Sequence, residues 1–595
     1  MCGVIACRTN ESAIDYLLAA LHRLEYRGYD SVGLAVTTVA GDIATVRTVG
    51  RVRALDRRVR EWDGPAFGSV GIGHTRWATH GMVTEANAHP HMDCTGNICV
   101  VHNGIIENAG EQREALGASG HTFSSTVDSE VLCHLVEEEL RHCADLLEAV
   151  EKALVHVEGT WGLAVLERHT GQLVVAANGS PLIVAHTSFG DFATSDIAAV
   201  ADWADEFRVL DDGDVVDLSG KGRWRNRGVD VSGNDLIASD VRGSDVGLNG
   251  YTDYMAKEID EQPEAVAKVL DELGGGVATG QLWRELGLAN FDRVEVIGCG
   301  TSLNAGTVIT NFLHRVGGIP VANLVASEVA DDLVEPRTLC LAISQSGETA
   351  DVLRAIRTRR FSPVSLLALT NNVHSTLARS TDAVVTCSAG PEIGVAATKT
   401  FVCQIVAGVA VMISALVAQH RLPELGARRL VDSLRHLPDQ LAAACATSKC
   451  VVPAIAEELI TATGVIYLGR GTALPYAAEG ALKLKELTYR WAEHHPAGEL
   501  KHGPLALVES GTPVVVVESA DRRLAGNVAA VTARGGRVIS IGSRGCTVPV
   551  ADDLDAPWGP LAAAVPLQIL ARTLALALGR DVDNPRNLAK SVTVE

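Results

Sequence analysis

Apolar residues recur along this chain in two rhythms. In the first third, short β-branched runs such as Val70-Gly71-Ile72-Gly73, Ile98-Cys99-Val100-Val101 and Leu173-Val174-Val175-Ala176 are separated by Gly and Asn turns, which predicts stacked sheets with few helices. Gly3-Val4-Ile5-Ala6 reads as the opening of a buried strand. From about Arg293 onward, strand-like runs alternate with long helical patterns, the signature of βαβ units around a parallel sheet. Between the two regimes, the polar Gly/Asp/Ser-rich stretch from Asp235 to Tyr254 holds no sustained apolar period and predicts a linker. The longest apolar run, Ile405 to Ala418, includes a glycine and falls short of the ~18–20 residues that span a bilayer, so it predicts a buried helix.

The second regime is duplicated. Val296-Ile297-Gly298-Cys299-Gly300-Thr301-Ser302 reappears as Tyr467-Leu468-Gly469-Arg470-Gly471-Thr472-Ala473, each a strand followed by a Gly-x-Gly-Thr turn and a helix. Two similar α/β domains in tandem follow, and a duplicated fold can keep its shape in both copies while retaining chemistry in one. Leu303 stands where a dinucleotide fingerprint has its third glycine, which argues against a nicotinamide cofactor.

Composition narrows the possibilities. At 595 residues the chain exceeds one core, and about 150 residues per domain suggests three or four units. A 47% hydrophobic but only 4% aromatic content predicts cores of Ala, Val, Leu and Ile in α/β style. The net charge of −21 argues against nucleic-acid and anionic-membrane partners, so any bound phosphate must be small and locally cradled. The 13 cysteines form no CxxC pair and no Cys/His cluster at metal-ligand spacing, which disfavours a disulfide framework and a zinc site and points to a reducing, cytoplasmic compartment. No basic segment precedes an apolar one at the N-terminus, so no signal peptide is expected.

Two constellations carry chemistry. Cys2 follows Met1 directly; removal of Met1 would give one residue both a thiol and an α-amino group of pKa about 7.7–8.0, nucleophile and base together. His74-Thr75-Arg76-Trp77-Ala78-Thr79-His80-Gly81 and Asn87-Ala88-His89-Pro90-His91 invite a metal reading, but no carboxylate or thiolate set accompanies them at ligand spacing. Arginine in such a loop suits a substrate carboxylate. His102-Asn103-Gly104 ends an apolar strand with the donor types of an oxyanion hole, and Asp128 is suited to a substrate ammonium. Further on, the strand Leu339 to Ile343 runs into Ser344-Gln345-Ser346-Gly347-Glu348-Thr349 ahead of a helix starting near Ala350; hydroxyls and backbone N–H groups at a helix start cradle a phosphate without Lys or Arg, or simply cap the helix. The equivalent strand of the second repeat leads into Glu518 and Asp521, whose charge would repel phosphate. Glu479, Lys483 and Glu486 share one helical face, either a solvated stripe or a functional one. His502 lies between Lys501 and Gly503-Pro504 in a loop, and Lys590 precedes a strand-like run at the C-terminus. A lysine there can condense with a sugar carbonyl.

The first constellation resembles the N-terminal-nucleophile glutamine amidotransferases over the first ~230 residues. The second resembles the paired sugar-isomerase (SIS) domains of the glutamine–fructose-6-phosphate aminotransferases, so the likeness runs nearly the whole chain in order. It implies an α/β multidomain fold: a four-layer αββα Ntn-hydrolase domain at 1–235, a linker at 236–280, SIS domains with parallel sheets at 281–435 and 450–580, and a C-terminal tail at 581–595. It implies Cys2 as nucleophile, Asn103 and Gly104 as oxyanion hole, Arg76, Thr79, His80 and Asp128 as glutamine clamp, and Trp77 as ammonia gate. It further implies Cys299, Gly300, Thr301, Ser302, Ser344, Gln345, Ser346 and Thr349 as the phosphosugar cradle, Val395 and Ala396 lining the sugar site, and Lys483 positioning its hydroxyls. His502 would assist ring opening, Lys590 would form the imine, and Glu486 would move the proton. The implied substrates are L-glutamine and fructose 6-phosphate, without metal or other cofactor, in a homodimer or higher homo-oligomer feeding amino-sugar synthesis. Ala397 departs from the family's usual Val-Ala-Ser-Thr-Lys, and Trp491-Ala492-Glu493-His494-His495-Pro496 is a bulkier lead into the His502 loop than the family implies. These departures keep open a paralogue acting on another ketose phosphate; a phosphosugar sensor with a vestigial glutaminase is the non-enzymatic alternative.

Overall fold

The computed structural model describes residues 2–78, 81–219, 222–232, 235–330, 334–359, 364–550 and 554–592. They form two compact units, one of residues 1–247 together with the stretch from Ala589, the other Leu248–Leu588.

In the first unit an eight-stranded and a seven-stranded sheet are packed face to face. The opening strand Gly3–Thr9 lies antiparallel between Phe67–Arg76 and Gly190–Thr194. Its alternation decides its packing: Ile5 and Cys7 face a helical layer, whereas Val4 and Ala6 face the other sheet. The strand Ile98–Ile106 does the same from the opposite side, with Cys99 and Val101 in the inter-sheet core and Ile98 and Val100 under helices. Helix, sheet, sheet, helix is the four-layer αββα order implied by the resemblance. The texture of short runs undercounts the helices, however: Ile14–Leu24, Val52–Arg60, Ala109–Ala118, Glu130–Leu140 and Leu146–Val155 cover the sheets. Each needs only one apolar stripe, such as Ile14, Leu17, Leu21 and Leu24 at helical spacing, which is easily lost among the strands.

The second unit contains two five-stranded parallel sheets. The first has the order Val321–Val325, Arg293–Gly298, Thr338–Ser344, Ser365–Thr370, Ala383–Thr386; the second repeats it with Trp491–Pro496, Gly464–Gly469, Pro513–Val517, Arg537–Gly542, Val548–Pro549. Thr338–Ser344 is buried at every position, as expected for a central strand covered on both faces. In each sheet the strand order reverses between the first and third strands in sequence, a topological switch point beside which open α/β sheets bind ligands.

One hydrophobic core joins both sheets through the helix Lys399–Ala418. That helix has 20 residues and an 18-residue window of mean hydropathy 2.4, sufficient by length and composition for a membrane span, but 94% of that window is buried within the protein.

Two expectations are corrected. The stretch 236–280 is not simply a linker: Ile237–Ala238 pairs with Glu206–Phe207 at a sheet edge, and the helices Tyr254–Asp260 and Gln262–Leu273 bury Met255, Ile259, Val266 and Val269 in the second unit's core. The helix Leu437–Glu458 likewise fills the gap left between the two SIS ranges. At the C-terminus no strand forms at Ser591 and Val592. Upstream in the tail, Asp583 accepts from the Tyr254 and Met255 N–H groups at 2.9 Å and the Arg586 N–H donates to the Tyr489 hydroxyl at 2.9 Å.

Candidate active sites

Cys2 sits half-buried at the start of its strand. The Trp77 N–H donates to Cys2 Sγ at 3.3 Å, and Arg27 Nε and Asn103 Nδ2 donate to the Cys2 carbonyl at 3.1 and 3.0 Å. Arg27 is itself tied to Asp196 at 2.9 Å. Burial pushes the Cys2 thiol up, against the downward pull of the nearby amino terminus, the Trp77 N–H, Arg76 and Arg27. A thiol held neutral at rest needs a base to react.

The Asn103 amide is oriented from behind. His74 Nε2 lies 3.1 Å from Asn103 Oδ1 and 3.1 Å from the His102 carbonyl. Two acceptors require Nε2 to carry the hydrogen, so the ring is locked in one tautomer and the amide's donor end is turned toward Cys2. Burial, reinforced by Arg76 and His102, lowers the His74 pKa to about 3. Gly104 has φ +133°, and a Cβ there would meet the Thr160 carbonyl oxygen at 2.0 Å; only glycine keeps the strand in register at this point. Arg76 is buried within the electrostatic reach of Cys2, Asp30 and Asp128. Asp128 accepts the Ile106 N–H at 2.8 Å. The structure thus gathers Cys2, Arg76, Trp77, Asn103, Gly104 and Asp128 from four distant stretches, while Thr79 and His80 lie outside the described residues. His74 was legible only as one of several histidines; its role as a brace for Asn103 carries no sequence signal.

At the first repeat's switch point, Gly298–Ser302 and Ser344–Thr349 stand at the carboxyl ends of adjacent strands. Ser344 Oγ accepts the Gly347 N–H at 3.0 Å and pairs with the Thr349 hydroxyl at 2.9 Å, while Ser346 Oγ accepts the Glu348 N–H at 3.1 Å. The Gln345 carbonyl accepts the Asn371 N–H at 3.1 Å. Gly347 takes φ +68°, and a Cβ there would collide with Ser375 Oγ at 2.0 Å. The result is a tight polar loop ahead of the helix Ala350–Arg359, a form suited to a small anion. Cys299 and Ser302 are half-buried and Gly300 is exposed beside them; Ser302 Oγ accepts from Gln404 Nε2 at 3.1 Å.

The charged face of the helix Leu474–Thr488 is not solvated. Glu479 and Lys483 are buried, with Lys483 Nζ 2.7 Å from Glu486 and 3.6 Å from Glu479. Glu479 also accepts from the Thr301 hydroxyl at 3.0 Å and Asn304 Nδ2 at 2.8 Å. Thr301 thereby joins the two repeats, and Asn304 is a participant that sequence reading missed. Burial alone would lower the Lys483 pKa, but Glu486 and Glu479 outweigh it and raise it, keeping the ammonium charged. Burial raises the Glu479 carboxyl. This network lies against the first repeat's turn: a Cβ on Gly300 would be 3.8 Å from Leu482.

The second repeat fills its own switch point with salt bridges and hydrogen bonds. Glu518 accepts from the Ser543 N–H and hydroxyl at 2.8 and 2.6 Å, and Asp521 pairs with Arg470 at 2.8 Å. Val395 and Ala396 are buried in a loop held through its backbone, the Val395 N–H donating to the Asp583 carbonyl at 3.0 Å and the Thr398 N–H to Glu392 at 2.9 Å. Ala397 stands between them without disturbing these bonds. His502 is exposed at the end of the short helix Ala497–His502. Lys590 is half-buried and groups with the first unit, apart from the grouping of the other sugar-site candidates.

Both parts of the chain match known families. Residues 74–201 match the glutamine amidotransferase domain family, and residues 287–414 and 458–547 match the SIS domain family. Along 100% of both chains, this sequence is 41% identical to a glutamine–fructose-6-phosphate aminotransferase (isomerizing) of Thermus thermophilus and 41% to that of Streptomyces coelicolor; identity to the Escherichia coli protein is 38%. Among solved structures, the C-terminal domain of glucosamine-fructose-6-phosphate aminotransferase from Francisella tularensis is 33% identical, covers 57% of this chain and 99% of its own, and superposes with a TM-score of 0.53.

Proposed function

This chain belongs to the glutamine–fructose-6-phosphate aminotransferase family, and we propose a division of labour among its residues on that footing. The chain is an isomerising aminotransferase whose substrates are glutamine and fructose 6-phosphate, and whose amino-sugar product is glucosamine 6-phosphate. Once Met1 is removed, the Cys2 α-amino group takes the thiol proton and Sγ attacks the glutamine carboxamide. Asn103 Nδ2 and the Gly104 N–H stabilise the oxyanion. Arg76 holds the substrate carboxylate and Asp128 its ammonium, with Thr79 and His80 completing the clamp, and Trp77 gates the ammonia.

In the second unit, Ser302, Ser344, Gln345, Ser346 and Thr349 hold the sugar phosphate, with Cys299, Gly300, Val395 and Ala396 lining the sugar. His502 assists ring opening, Lys590 condenses with the open sugar's carbonyl, and Glu486 carries the proton between C1 and C2. Lys483 fixes Glu486 in place and orients sugar hydroxyls. The expected assembly is a homodimer or higher homo-oligomer.

The placement of the Trp77 N–H on the Cys2 thiol and of Asn103 Nδ2 on the Cys2 carbonyl carries this reading. The test is product analysis with glutamine and a panel of ketose phosphates. Glucosamine 6-phosphate from fructose 6-phosphate is the expected main product. A clear preference for another ketose phosphate, the paralogue reading that Ala397 motivates, would overturn the substrate assignment.

A further inference from the structure

Cys94, His121, His134 and Glu137 take part in neither proposed reaction, yet one ligand atom of each converges on a common point in the first unit. Cys94 lies in the turn between His91–Met92 and Ile98–Ile106, His121 follows the helix Ala109–Ala118, and His134 and Glu137 sit at i and i+3 on the helix Glu130–Leu140. Cys94 Sγ is 3.6 Å from the Nδ1 atoms of both His121 and His134. The two Nδ1 atoms are 3.2 Å apart, and Glu137 Oε2 lies 3.2 Å from the first and 3.6 Å from the second. A tetrahedral ion with bonds of about 2.0–2.1 Å to nitrogen or oxygen and about 2.3 Å to sulfur has ligand–ligand edges of about 3.3–3.6 Å. Five of the six edges, at 3.2–3.6 Å, lie within about 0.1 Å of that range, and the sixth, Cys94 to Glu137, is within 4.8 Å.

Hydrogen bonding alone explains the cluster poorly. His121 Nε2 faces the Glu138 carboxylate at 2.7 Å, so it carries a hydrogen and, in the neutral ring, leaves the Nδ1 lone pair directed inward. Glu137 Oε2 is buried and receives no hydrogen bond among the described residues, whereas Oε1 is taken by Arg141 at 3.0 Å. Within the cluster only the Cys94 thiol and a hydrogen on His134 Nδ1 could answer these inward-facing lone pairs, whereas one cation at the centre meets all four ligand atoms at once. Two outer contacts suit such an ion: the Glu138–His121 bond is the carboxylate–histidine pairing that orients a ligating imidazole, and the Thr122 N–H donates to Cys94 Sγ at 3.3 Å, as a thiolate ligand requires. A thiolate and a carboxylate neutralise a divalent charge. The exposed Cys94 provides an entry path, while the other three ligands are buried.

We propose that Cys94, His121, His134 and Glu137 bind one divalent transition metal of the zinc type in a closed, tetrahedral, structural site. With all four positions taken by protein, the ion has no place for substrate. It pins the turn at Cys94 and the segment after His121 to the helix Glu130–Leu140, just ahead of and behind Asp128. The four ligands are scattered and irregularly spaced, which is why the sequence shows no metal-binding pattern and leads to the opposite expectation.

The test uses the untagged full-length chain, first purified without added metal or chelator for elemental analysis, then stripped and titrated separately with Zn²⁺, Co²⁺ and Mg²⁺. The expected results are about one zinc per chain as purified and, in the Co²⁺ form, tetrahedral visible bands with a thiolate charge-transfer band that disappears in Cys94→Ser. Mg²⁺ should not compete. Less than about a tenth of an equivalent of Zn²⁺ or Co²⁺ retained after reloading the wild-type chain would overturn the proposal, whatever the variant does. Stoichiometric metal retained by a folded Cys94→Ser/His121→Ala double variant would overturn it too.

Discussion

Around Cys2, residues that never touch substrate still set its reactivity. The His74 hydrogen bond holds the Asn103 amide, so Asn103→Ala should lower kcat for glutamine hydrolysis by about 10²–10³-fold, while His74→Ala, which frees the amide to rotate, should cost less and spare KM for glutamine. Stopped assays of glutamate release read both. Burial lowers His74 and His91 to about 3, whereas in the unfolded chain each takes a proton near pH 6.5. The unfolded state thus gains protons first as pH falls. The stability contributed by keeping these rings neutral is intact above about pH 6.5 and declines from there toward 3, by about 1.4 kcal/mol per pH unit for each group. Hydrogen exchange corrected for intrinsic rates should speed up over residues 70–103 between about pH 7.5 and 5.5 more than over 338–344 in the second unit. Equal protection at both pH values would contradict this. Cys2, Arg76, Asn103 and Asp128 were legible as residue types suited to glutamine. Their mutual braces, His74 above all, were not, because a second layer of hydrogen bonds is fixed by three-dimensional neighbours and leaves no spacing behind.

Strands and helices turn these residues into sites. The Ser344–Thr349 loop keeps its shape because Gly347 adopts a left-handed conformation against Ser375. Gly347→Ala should raise KM for the sugar phosphate at least about tenfold, equivalent to about 1.4 kcal/mol, while glutamine hydrolysis in the first unit is unchanged; steady-state kinetics with each substrate varied separate the two. On the helix Leu474–Thr488, Lys483 stands between Glu479 and Glu486. Removing its charge in Lys483→Met leaves the buried Glu479 uncompensated, so the second unit should lose about 3–5 kcal/mol in urea unfolding. A shift below about 1 kcal/mol would mean that the stripe is solvated after all. The i, i+4, i+7 pattern was visible in the sequence, but its burial was not: periodicity shows which residues share a face, and only packing against Thr301 and Asn304 shows that the face is closed. The 254–273 helices escaped for a related reason, since Met255, Ile259, Val266 and Val269 form a sparse stripe in polar surroundings.

For the whole chain, duplication and acidity fit a single anion site. A net charge of −21 leaves phosphate binding to local cradles, and the second repeat fills its switch point with Glu518 and Asp521. Calorimetric titration should therefore find one sugar phosphate per chain; two equal sites would contradict the division between repeats. The stacked sheets and the paired parallel sheets could be read from two apolar rhythms and one repeated turn, because both leave periodic marks, whereas the αββα order is implied only by the family resemblance. The central claim is that nitrogen enters at Cys2 and leaves in an amino sugar. It is tested most directly by measuring glutamate and glucosamine 6-phosphate together in wild type and in Cys2→Ala. The account predicts both products from wild type and a fall in both of at least about a thousandfold in the variant, with sugar-phosphate binding retained. Glutamine use by Cys2→Ala at the wild-type rate would contradict it.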